Sequence, residues 1–236
     1  NGTMKHPIQE MMEQRREGKN CGIPSYCTAN PLALEIILKR AKLLHTPVLI
    51  EATANQVNQY GGYTGMLPKD FYDMIQKMAD EIGVPKELII LGGDHLGPLT
   101  WQNLPEKDAM EKSVELVYQY AKAGFTKIHL DTSMRVADDP ADRPLADEKI
   151  AERGAVLYEA CEAAWRELLQ TNSKEERPVY IIGSEVPIPG GAQEAEDSVS
   201  VTEPADVEKT LAVYRQEFEK RGLKDAFENI IGIVVQ

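Results

Sequence analysis

The chain has little positive charge: 26 lysines and arginines stand against 38 aspartates and glutamates among 236 residues, a net charge of −12. Nucleic-acid binding needs a basic footprint, so that class is excluded. No apolar run approaches the length of a membrane span. The stretch "MKHPIQEMMEQRREGKN" has no apolar h-region of the kind a secretory signal carries. Cysteine is scarce and odd in number (Cys21, Cys27 and Cys161) with no C-x-x-C spacing. Reduced thiols in a cytoplasmic protein are expected, not a disulfide framework. No G-x-x-x-x-G-K-[ST] loop is present, which argues against a nucleotide-dependent kinase, and no G-x-G-x-x-G fingerprint follows the first strand-like segment.

What is present is an alternation of two periods. Strand-like segments fall at 21–27, 47–53, 88–95, 127–133, 179–187 and 230–236. Between them run amphipathic helical stripes. One steps through Phe71, Ile75, Met78 and Ile82 and stops at Gly83. Another runs Met110, Val114, Val117 and Ala121 up to Gly124. A third takes Ile150, Gly154, Leu157, Cys161, Ala164 and Leu168, and a fourth Val207, Leu211, Tyr214 and Phe218 before Gly222. Asn30-Pro31 is a cap and first-turn pair for the first helix. Strand and helix in strict alternation predict an α/β fold with parallel strands. A TIM-type (β/α) barrel fits better than a doubly wound sheet. A full barrel needs eight strands, so the expectation is one barrel domain over residues 4–236 holding only its first six β/α units. Residues 1–3 ahead of Met4 read as a cloning remnant.

Barrel enzymes keep their chemistry at the carboxyl ends of the strands. Those ends offer Glu51, then Asp94 and His95 in "ILGGDHLGP", then His129 and Asp131 in "HLDTS", then Glu185 in "GSEVPIPGG". Imidazoles and carboxylates together suit a divalent metal such as zinc or manganese, which polarises a ketose carbonyl. A nearby carboxyl group then moves a proton. The loop "NQVNQYGGYTGM" carries Asn55 and Asn58, candidates for bonding sugar hydroxyls, and Gly190-Gly191 offers backbone N–H groups to a phosphate. Plainer roles are open for each. An Asp-His pair can be structural, His129 can be a satisfied core histidine, and Glu51 can pair with a lysine or arginine across the barrel. The glycines of "LGGDH" can serve packing, the long loop can cap the barrel, and Gly190-Gly191 can be a turn. "RVADDPADRPLADE" reads as an acidic surface loop without specific chemistry.

Taken together, "IEATANQVNQYGGYTGM", "ILGGDHLGP", "AMEKSVELV", "AGFTKIHLDTSM", "GSEVPIPGG" and "IIGIVVQ" resemble the D-tagatose-1,6-bisphosphate aldolase accessory (non-catalytic, Z-type) subunit family over Cys21 to Gln236. The resemblance implies a barrel related to the class II, metal-dependent aldolases. It implies Asp94 and Glu185 as catalytic groups and His95 and Glu185 as metal ligands, with His129 and Asp131 at site positions; His129, an imidazole at a strand end, is a further candidate metal ligand. It also implies a ketohexose phosphate as ligand, a separate catalytic aldolase subunit as partner, and an oligomer. The alternative is a stand-alone, metal-dependent ketohexose 4-epimerase that interconverts fructose and tagatose forms by retro-aldol cleavage and re-addition.

Overall fold

In the computed structural model, residues 5–183 and 204–233 are described. The element order is α1 (Pro7–Arg16), β1 (Ser25–Cys27), α2 (Pro31–Leu44), β2 (Val48–Thr53), α3 (Pro68–Ile82), β3 (Ile89–Leu96), α4 (Glu106–Ala123), β4 (Lys127–Leu130), α5 (Asp147–Thr171), β5 (Val179–Ile182), α6 (Pro204–Lys220) and β6 (Ile230–Ile233). The helices start and stop where the local chemistry requires. The Asn30 carboxamide oxygen accepts from the N–H groups of Leu32 and Ala33 at 2.9 and 3.2 Å, with Pro31 in the first turn. α3 ends on Gly83 at φ 83°, a left-handed conformation that glycine adopts without a Cβ penalty.

The six strands form one sheet in the order β1-β2-β3-β4-β5-β6, every neighbouring pair parallel. Sequential order without a reversal is the course of a barrel wall. A doubly wound sheet reverses direction at a switch point. The fold is therefore α/β, with the first six strands of a (β/α) barrel in place.

Alternation along each strand sorts its residues to two faces. Ile50, Ala52, Leu91, Ile128, Leu130, Tyr180 and Ile182 join the main core with helix residues such as Leu34, Leu38, Phe71, Ile75 and Leu116. Leu49, Ile90 and Val179 face the other way and form a second cluster. That cluster is covered by α1: Ile8 is buried in it, with Met11, Met12, Ile23 and Ile231 packed against it. α1 thus plugs the amino end of the barrel. His6 caps this helix by accepting from the Ile8 N–H through Nδ1 at 3.1 Å, which leaves the proton on Nε2, 3.0 Å from Thr126 Oγ1. The sequence pattern assigned no element before residue 21.

The strands are shorter than their apolar runs. β1 begins only at Ser25, because Pro24 has no N–H for the ladder; its carbonyl accepts from Leu49. β4 ends at Leu130, where Asp131 bends the chain by accepting from the Ser133 N–H and hydroxyl at 3.2 and 2.7 Å. The acidic loop after it is anchored at several points: Ala137 donates to the Leu104 carbonyl and Asp138 accepts from the Glu106 N–H. Asp139 takes both terminal nitrogens of Arg153 at 2.8 Å, and Arg153, on α5, is 1% exposed. Glu106 at the start of α4 lies 3.2 Å from the same guanidinium. This loop is pinned to α4 and α5 by a buried ion pair.

Candidate functional site

β3 carries two glycines because its neighbours leave no room for side chains. A Cβ on Gly92 would lie 3.0 Å from Glu51 Cγ, and one on Gly93 only 2.4 Å from Leu96 Cδ1. Just beyond them the ladder slips. Gly93 pairs with Ile128 and Leu96 with Leu130, so three steps on β3 match two on β4. The extra residue makes a bulge, a device that re-aims side chains at the end of a strand. His95 sits in this bulge at φ 49°. A left-handed histidine costs on the order of 1–3 kcal/mol and is held only where its surroundings require it.

Among the described residues, the surroundings include Asp94, His129 and Asp131. His95 Nδ1 lies 3.2 Å from Asp131 Oδ2, and its Nε2 lies 3.7 Å from Asp94 Oδ1. His129 Nδ1 lies 3.4 Å from the same Asp94 oxygen, while its Nε2 is 2.6 Å from the Gly183 carbonyl. The two imidazole centroids are 4.5 Å apart. These contacts fix the proton positions of neutral rings. A carbonyl only accepts, so His129 Nε2 donates to it and Nδ1 turns a lone pair toward Asp94. Asp131 is an acceptor as well, so His95 Nδ1 donates to it and Nε2 turns a lone pair toward Asp94.

Asp94, His95 and His129 each offer one ligand atom, and these atoms lie within 4.8 Å of one another. Such a cluster of lone pairs calls for positive charge in its midst. The outer partners, a carboxylate on one ring and a carbonyl on the other, are the arrangement that orients metal-bound histidines. The donor set therefore fits a divalent ion. Burial pushes the Asp131 carboxyl up, but its bonds from His95 and Ser133 outweigh this and hold it below the usual range. Burial opposes ionisation of Asp94 too. With the rings protonated in place of a bound cation, the hydrogen bond from His129 and the charges of His95 and Lys127 prevail, so Asp94 also stays low. Asp94 and His95 keep 24% and 23% of their side chains exposed, whereas His129 is enclosed at 2%. The cluster is open to solvent on the Asp94–His95 side.

The remaining candidates are elsewhere. Glu51 lies in the barrel interior against Lys127, Oε2 to Nζ 2.7 Å, with side chains 10% and 9% exposed. Its partner is the lysine two residues before His129. Asn58 is buried and structures its own loop: it donates to the Ala54 carbonyl and accepts from the N–H groups of Tyr60 and Gly62. Asn55 Oδ1 accepts from Thr100 Oγ1 at 3.1 Å, linking the loop after β2 to the segment after β3. Glu185, Gly190 and Gly191 lie outside the described residues. The Gly183 carbonyl and Lys127 have parts here that no sequence pattern picked out. A backbone acceptor has no side-chain signature, and Lys127 was visible only as an unnamed partner for Glu51.

The family model described as D-tagatose-1,6-bisphosphate aldolase subunit GatZ/KbaZ-like matches residues 8–236. Among solved structures, a probable tagatose 6 phosphate kinase from Sinorhizobium meliloti 1021 superposes with a TM-score of 0.74 at 44% identity, over 92% of this chain and 49% of that one. The chain thus spans about half the length of that protein. A fructose-bisphosphate aldolase from Campylobacter jejuni aligns at 18% identity and a TM-score of 0.49, over 90% of this chain and 54% of that one, a likeness too distant to bear on function. No helix among the described residues is long and apolar enough to cross a membrane.

Proposed function

The chain belongs to the GatZ/KbaZ-like family of D-tagatose-1,6-bisphosphate aldolase subunits, and on that footing we propose that it serves ketose-phosphate aldol chemistry as an accessory subunit with a divalent-metal site of its own. The observation that carries this reading is the convergence of Asp94, His95 and His129, with both rings oriented from behind by Asp131 and the Gly183 carbonyl. His95 and His129 are the ligands within the described residues, and Glu185 is the further ligand implied by the family likeness. A divalent ion held there, zinc or manganese, supplies Lewis-acid polarisation of a ketose carbonyl. Asp131 holds His95 in the tautomer whose Nε2 turns toward the site. The Gly183 carbonyl does the same for His129 Nδ1. Asp94, kept ionised beside both rings, accepts the proton of a sugar hydroxyl. The three cysteines are all free thiols, which supports the cytoplasm as the compartment of such a reaction.

A second reading is favoured by the completeness of the donor set, for which a purely structural subunit has no need: a 4-epimerase that cleaves the C3–C4 bond of a ketohexose phosphate, lets the aldehyde turn, and rejoins it. One experiment separates the two. The protein is incubated without partner, with zinc or manganese, on tagatose 1,6-bisphosphate, and products are resolved by carbon NMR. Fructose 1,6-bisphosphate identifies the epimerase, and triose phosphates an autonomous aldolase; either activity collapses in Asp94→Asn and His95→Ala. Unchanged substrate, together with stimulation of a catalytic aldolase subunit, identifies the accessory role. Neither turnover nor stimulation refutes both.

A further inference from the structure

Large apolar side chains exposed among the described residues number seven, and four of them lie on one helix, α2: Leu32, Ile36, Leu43 and Leu44. α2 is apolar on two opposite faces. Leu34, Ile37, Leu38 and Ala41 are buried against the sheet and neighbouring helices. At 100° per residue, Leu32, Ile36 and Leu43 fall within about 40° of one another, on the side of the helix opposite that buried face. They are 73%, 68% and 83% exposed. The neighbouring helix does not cover them. Lys42 donates from Nζ to the Ile82 carbonyl at the end of α3 at 2.7 Å, which places α3 on one flank of α2.

We propose that this outward face of α2 is an interface between two copies of the chain, packed as an antiparallel helix pair about a two-fold axis. The pattern is self-complementary. A two-fold axis midway between residues 37 and 38 sets Leu32 opposite Leu43 of the second copy, and Leu43 opposite its Leu32. Ile36 meets the aliphatic stem of Lys39. An antiparallel two-fold pair brings the same flank of each helix together. That flank carries Glu35 in the amino-terminal half and Lys39 in the carboxyl-terminal half, so each Glu35 faces the opposite copy's Lys39. Within one helix Lys39 and Glu35 are already 2.8 Å apart and both exposed, a pair of little worth alone. Shared between two helices over a desolvated leucine seam, it sets the register. A parallel arrangement would set Lys39 against Lys39 and is disfavoured. Isologous contacts of this kind are the commonest way for soluble chains to pair.

Sedimentation velocity across a concentration series tests this, with circular dichroism as the control for folding. The chain is expected to sediment as a reversible dimer. Leu43→Asp places two charges in the seam and is expected to raise the dissociation constant by at least ~100-fold. Ile36→Asp, at a second point of the seam, is expected to do the same. Glu35→Lys and Lys39→Glu each weaken the dimer, and the two together restore it. A chain monomeric at every concentration overturns the proposal, as does a dimer indifferent to Leu43→Asp and Ile36→Asp.

Discussion

Replacing Lys127 with methionine probes the interior of the barrel most sharply. The ammonium lies 2.7 Å from Glu51 Oε2, and both side chains are nearly enclosed. At an effective dielectric of about 20 the direct attraction is about 6 kcal/mol. Most of it offsets the cost of removing two ions from water, so the pair adds little net stability. The loss of one partner is another matter. Lys127→Met keeps the aliphatic stem but leaves a carboxylate buried without its counter-charge, close against Gly92, and costs about 3–5 kcal/mol. With a urea m-value near ~2 kcal/mol/M, the unfolding midpoint falls by about 2 M. The double variant Glu51→Met/Lys127→Met removes both charges and recovers most of the loss, to within about 1–2 kcal/mol of the parent. Equilibrium urea unfolding of the parent, both single variants and the double variant gives the coupling energy directly. A Lys127→Met cost under ~1 kcal/mol, or a double variant that merely adds the two single losses, would show that water reaches the pair and refute the reasoning.

Two further outcomes follow from other buried groups. Arg153→Met strands Asp139, whose side chain is 6% exposed and whose carboxyl is held low chiefly by its bond from Arg153; a loss of about 3–5 kcal/mol is expected in thermal or urea unfolding, with a smaller one for Asp139→Asn. Burial lowers His6 from 6.5 to about 4. Its folded pKa is below the unfolded one, so its contribution is complete above pH 6.5 and is lost as the pH falls from there through 4. At about 1.4 kcal/mol per unit this amounts to about 3 kcal/mol. Urea unfolding at stepped pH is expected to show that slope, and His6→Asn, which still caps α1 but does not titrate in this range, is expected to flatten it.

Strand and helix period carried most of the architecture. Each helical stripe from Phe71 onward lies on a helix, α3 and α4 stop at Gly83 and Gly124 as their stripes indicate, and six apolar segments became six parallel strands. α1 escaped for a physical reason. Its apolar face is only Ile8, Met11 and Met12 on a helix that is otherwise polar, so no run stands out; the signal lay in the caps, His6 and Pro7. The site was legible in its residue types, since Asp94, His95, His129 and Asp131 all sit at strand ends. Their geometry was not. Which nitrogen of His95 meets Asp131 depends on a one-residue bulge between β3 and β4, and the orientation of His129 depends on a carbonyl 54 residues away. Glu51 and Asn58 show the complementary difficulty: both sit on segments near the mouth of the barrel, yet one completes an interior ion pair and the other ties its own loop.

Isothermal titration of the metal-stripped protein with zinc and with manganese tests whether His95 and His129 hold a divalent ion beside Asp94, with His95 oriented by Asp131. One site per chain is expected, abolished in His129→Ala and weakened by about 10–100-fold in Asp131→Asn, where the outer carboxylate alone is lost. Absence of binding, or an affinity unchanged by His129→Ala, would contradict it.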